Sequence, residues 1–73
     1  MSLLHADDGA RFCAITAPVG ERTRASYVVI VKMGPETKTQ SDVRTFPTYE
    51  DALAWLSREA AFRGFKEIQL ERR

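Results

Sequence analysis

The sequence predicts a single small α+β domain in the order β-β-β-α-β: a three-stranded antiparallel meander, one covering helix and a C-terminal strand. Three observations carry that expectation. Residues 11–17 and 25–33 alternate or fill with apolar residues, and Pro18, Gly20, Gly34 and Pro35 break them. Residues 49–63 change to a helical period, with Thr48 before them and Gly64 after. Ile68 and Leu70 then alternate with Glu67, Gln69 and Glu71, which is a strand pattern once more.

Seventy-three residues make one core and no more. A hydrophobic share of 44% with 29% charged residues is a globular composition, not a disordered one. Ordering such a chain costs on the order of 100 kcal/mol, so burial must offset nearly all of it. The longest apolar run, residues 27–31, is far short of a membrane span, and no membrane partner is expected. The N-terminus lacks the pattern of a signal peptide, and the default expectation is a cytoplasmic protein.

Residues 1–9, with Asp7, Asp8 and Gly9, lack periodicity and are expected to form a flexible lead-in to a domain over residues 10–73. In residues 11–17, Phe12, Ala14 and Thr16 fall on one face and Cys13, Ile15 and Ala17 on the other. Residues 18–24 read as a connector. Residues 25–33 form the strongest strand, with Tyr27, Val29, Val31 and Met33 on one face and Ser26, Val28, Ile30 and Lys32 on the other. Apolar residues on both faces make it a central strand. Residues 36–40 read as a polar loop and residues 41–46 as a short edge strand, with Asp42 and Arg44 discouraging unwanted pairing.

The helix, about 49–63, has its N-cap at Thr48, and Asp51 three residues on is placed to complete a capping box. Tyr49, Ala52, Leu53, Leu56 and Ala60 fall in one sector of about 100°, the face that packs on the sheet. Gly64 suits the C′ position, with Phe65 packing back as in a Schellman ending. Residues 66–71 form the last strand, parallel to the first or third through a right-handed crossover. One helix covers one face of the sheet. The apolar residues of the other face, Ile15, Val28 and Ile30 or their alternates on these strands, call for a partner or a second copy.

Catalysis has little to stand on. His5 is the sole histidine and falls in the lead-in, and Cys13 is alone, so neither a Ser/His nor a Cys/His arrangement is expected. The four glycines are isolated, which leaves no phosphate-binding loop and no cofactor site. Asp7 and Asp8 beside His5 are read as a solvated tail, not a metal site.

Two surfaces could bind. Trp55 and Phe62 lie seven residues apart on the helix, with Glu59 between them and the core sector. They either complete the core or form an aromatic stripe that anchors a protein partner. Arg22, Arg24, Lys32, Lys38 and Arg44 gather on the three-strand region, where residues 21–48 carry a net charge of +2. Such cations could contact phosphates. The run Phe46-x-Thr48-x-x-Asp51-Ala52-x-x-Trp55-Leu56 after three strands resembles the end of the arm-type DNA-binding domain of tyrosine-family phage integrases, over about a dozen residues. That resemblance implies a sheet docked into the DNA major groove and braced by the helix. Asp51 stands where that family usually has Glu, the dense Lys/Arg content is missing and a fourth strand follows, so the chain is not assigned to it. The expected function is a non-enzymatic binding or accessory module acting through a protein surface, with self-association as one form of it. The alternative is nucleic-acid binding through the strand-region cations.

Overall fold

In a computed structural model that describes residues 9–73, the elements run β1 (Arg11–Val19), β2 (Arg22–Met33), β3 (Glu36–Phe46), α1 (Tyr49–Phe62) and β4 (Gln69–Arg72). The sheet order is β3-β2-β1-β4, with β1, β2 and β3 antiparallel and β4 parallel to β1. The α+β class, the meander and the helix on one sheet face are as the sequence predicts. The last strand joins the first one, settling that choice.

Three boundaries differ from the expectation. The connector over residues 18–24 is a two-residue turn, Gly20-Glu21, because Val19 still pairs with Arg22. Gly20 adopts φ 63°, the sign a two-residue hairpin needs at its first central position. Gly34 repeats the device at φ 64°, followed by Pro35, so Met33 pairs directly with Glu36. Residues 36–40 are therefore strand, not loop: β3 is paired with β2 along its whole length, and its Thr residues suit an extended backbone. The last strand is shorter than the pattern over residues 66–71 suggests. Ile68 packs on the core ahead of it, while Leu70 within it is 41% exposed.

The helix ends obey the sequence closely. Thr48 is extended, and its Oγ1 accepts a hydrogen bond from the Asp51 N–H at 3.1 Å. At the other end the Phe65 N–H donates to the Ala60 carbonyl (2.9 Å) and the Gly64 N–H to that of Ala61 (3.0 Å). This is a complete Schellman motif, with Gly64 at φ 83°. It turns Phe65 back onto the sheet, against Phe12.

The core lies between α1 and one face of the sheet: Phe12, Ala14, Ala25, Tyr27, Val29 and Val31 below, Ala52, Trp55, Leu56 and Ala60 above. Of the predicted helix face, Ala52, Leu56 and Ala60 are buried, and Tyr49 and Leu53 are half-buried. A file of aromatic rings runs through this layer. Phe65 meets Phe12 (centroids 5.7 Å apart), Phe12 stacks on Tyr27 (4.8 Å), Tyr27 meets Trp55 (5.3 Å) and Trp55 meets Phe46 (5.4 Å). Such contacts favour one arrangement of the rings beyond what burial alone gives.

Candidate functional site

Strand alternation divides the sheet residues between two faces. On the uncovered face the centre is apolar: Cys13, Ile15 and Ala17 of β1 lie beside Val28 and Ile30 of β2 and Val43 of β3. All but Val43 are half-buried by their neighbours, and Val43 is 57% exposed. A shallow concavity of about 480 Å³ opens there, lined chiefly by Cys13, Ile15, Ser26, Val28, Ser41 and Val43. The Cys13 thiol donates to Gln69 Oε1 at 3.5 Å, at the border with β4.

The ends of this face are basic. Register puts Arg11 and Lys32 at one end and Arg22 and Arg24 at the other, all exposed. Glu71 of β4 is the acidic residue that the same alternation places there. Hydroxyl side chains of Thr37, Thr39, Ser41 and Thr45 line the β3 side. The surface is thus a greasy strip between two cationic ends.

The proposed phosphate-contacting residues accordingly split. Arg22, Arg24 and Lys32 share the uncovered face, whereas Lys38 and Arg44 fall on the helix side of β3. Arg44 places its guanidinium 5.7 Å from the Trp55 ring centroid. The five do not converge on one site.

The helix candidates also separate. Trp55 is 5% exposed and belongs to the core, between Tyr27 and Phe46, so its ring does not present a recognition surface. Phe62 is 67% exposed. The two residues share a helix flank, but at this end of the helix it is Arg63 that packs over the sheet, its guanidinium 5.2 Å from the Tyr27 ring centroid. Glu59 is half-buried and engaged: its carboxylate accepts from the Tyr27 hydroxyl (3.2 Å) and pairs with Arg63 Nη1 (3.6 Å).

Arg63 is the residue the sequence pattern did not single out. It is 4% exposed at the C-cap, and its guanidinium donates to the Glu59 carbonyl (2.9 Å), the Tyr27 hydroxyl (3.1 Å) and Gln40 Oε1 (3.4 Å). Its spacing of four from Glu59 was the available signal. Burial pushes the Tyr27 hydroxyl above its ordinary pKa; the Arg63 charge opposes that shift, and the Glu59 carboxylate adds to it.

Among the described residues no three His, Cys, Asp or Glu side chains cluster as metal ligands would. Nor is any helix there long and apolar enough to cross a membrane. His5, Asp7 and Asp8, with residues 1–8 of the lead-in expected over residues 1–9, lie outside the described residues. No family model, curated protein or solved structure matches this chain.

Proposed function

We propose that the chain is a small non-enzymatic binding module that acts through a protein–protein surface, the uncovered face of its sheet. One observation carries this reading: Ile15, Val28, Ile30 and Val43 form an apolar strip on a face that no element covers among the described residues. Apolar surface of this kind is costly to leave in water and marks interaction sites. The cations at both ends select a partner whose strip is flanked by acidic groups, because like charge opposite like charge is costly at an interface.

The test is capture of a stoichiometric partner by the wild-type chain, repeated with Val28→Lys and with Phe62→Ser. Loss with Val28→Lys and retention with Phe62→Ser supports the face. Equal capture by both variants overturns it.

A second reading has its own observation. Among the strand residues that alternation places on this face, Arg11, Arg22, Arg24 and Lys32 outnumber the one acidic residue, Glu71, so a nucleic-acid backbone would meet attraction there. Duplex binding would then weaken steeply with salt and fall further when Arg22 and Arg24 are changed to Ala. No measurable binding to duplex or single strand at low salt ends that reading.

A further inference from the structure

The sheet has a long edge. All eleven residues of β3 pair inward with β2, and among the described residues nothing pairs outward. The Val43 N–H on this edge donates to the side chain of its neighbour, Asp42 Oδ1, at 2.8 Å. Alternation turns the N–H and C=O groups of Thr37, Thr39, Ser41 and Thr45 the same way as those of Val43. A free edge of this length is a template for another strand.

Its side chains carry a pattern that decides which strand. Glu36, Lys38, Asp42 and Arg44 fall on the helix side of β3 and Thr37, Thr39, Ser41 and Val43 on the other. Let two copies of β3 meet antiparallel about a two-fold axis at Gln40. Glu36 then faces Arg44 of the second copy, Lys38 faces Asp42, and both pairs occur twice. On the other side Thr37 faces Val43 and Thr39 faces Ser41, which are compatible β-forming pairs.

Neighbouring registers fail. Moving the pairing by two residues one way sets Lys38 against Arg44; the other way sets Glu36 against Asp42. Two residues further in either direction, Asp42 meets Asp42 or Lys38 meets Lys38. A shift of one residue sets the outward-turned N–H and C=O groups of one copy opposite residues of the other that turn theirs toward their own β2, so no regular ladder forms. Only the register at Gln40 gives opposite charges at every charged position.

From this self-complementarity we infer that β3 is a homodimerisation edge, occupied by β3 of a second copy in the register centred on Gln40. Pairing joins the two sheets into one of eight strands, with both helices on the same side. The Asp42 carboxylate exchanges the Val43 N–H for Lys38 of the other copy, and the N–H enters the new ladder. The edge is separate from the uncovered face, and either can fail without the other.

The test is a charge exchange read by sedimentation velocity over a range of concentrations. The wild-type chain should show a reversible monomer–dimer equilibrium. Lys38→Glu and Asp42→Lys should each weaken self-association about tenfold or more, since each converts two attractive pairs into repulsive ones. Mixed one to one, the two variants should form a heterodimer. The carboxylate introduced at position 38 of one chain then faces the ammonium introduced at position 42 of the other, and the remaining Lys38 still faces the remaining Asp42. The double variant in one chain should regain self-association, because exchanging both charges restores an attractive pair at each position. Both positions are exposed, and circular dichroism checks that the variants stay folded. A wild-type chain that remains monomeric at millimolar concentration overturns the inference. So does a dimer that neither single variant weakens, or a mixture no more associated than its components.

Discussion

Arg63 Nη2 donates to the Tyr27 hydroxyl at 3.1 Å while its guanidinium carbon lies 5.2 Å from the centroid of the same ring. One side chain thus holds the tyrosine both at its polar tip and over its face, and Glu59 accepts the hydrogen bond that the hydroxyl donates. Removing Arg63 strands these partners. Arg63→Ala should cost about 2–3 kcal/mol, from lost hydrogen bonds and from the stem's packing. Arg63→Met keeps the apolar volume but still leaves Glu59 without its cation, so it should cost about 1–2 kcal/mol, less than Arg63→Ala by the packing of the stem. Urea denaturation of both variants separates packing from charge.

The raised pKa of Tyr27 gives stability a dependence on alkaline pH. The folded chain holds the phenol proton more tightly than the unfolded chain, whose tyrosine titrates near 10.0. The contribution is fully present below pH 10 and declines as pH rises through the folded value, since the unfolded state ionises first. Melting temperatures measured from pH 8 to 11 should fall above pH 10, and the fall should be shallower in Tyr27→Phe. An identical pH profile in both proteins would contradict the assignment.

Thr16 is 1% exposed on the core side of β1, and its Oγ1 has no hydrogen-bond partner. An unpaired buried hydroxyl costs about 1–3 kcal/mol relative to an apolar group of the same shape. Thr16→Val keeps the β-branched shape and removes the orphaned oxygen. It should raise stability by about 1 kcal/mol and the melting temperature by several degrees. Thermal unfolding followed by calorimetry reads this directly.

Trp55 and Phe62 should respond in opposite ways. Trp55→Ala opens a cavity among Tyr27, Phe46 and the helix, and should cost about 3–5 kcal/mol. Phe62→Ser touches a ring that is 67% exposed and should change stability by no more than about 0.5 kcal/mol. Chemical denaturation, with the Trp55 fluorescence as probe where it is present, compares them.

The helix was legible because its signals are local. The Thr48 cap and the Gly64 stop each depend on residues within about one turn, and the apolar sector from Ala52 to Ala60 on the repeat of a single helix. The interior strand β2 was equally plain, since Val and Ile on both faces fit a central position in the sheet. The start of β3 was not, because residues 36–40 are polar on both faces and their extended state follows from pairing with β2, not from their own pattern. Trp55 and Phe62 look equivalent on a helical wheel. What separates them is the sheet below, and above all Arg63, whose burial depends on finding Tyr27 and Gln40 on other strands. The uncovered face was foreseen as leftover apolar surface, but the division of its cations from Lys38 and Arg44 required the register.

The parallel strand β4 has a consequence for the order in which the chain assembles. Both hairpins close through two-residue turns, so β1, β2 and β3 can zip together through local contacts. β4 instead joins β1 across a separation in which Cys13 meets Gln69, with four paired positions and all its residues exposed. Its attachment is expected to form late and to open first, and each such opening would uncover the β1 edge while leaving the aromatic file beneath the helix in place.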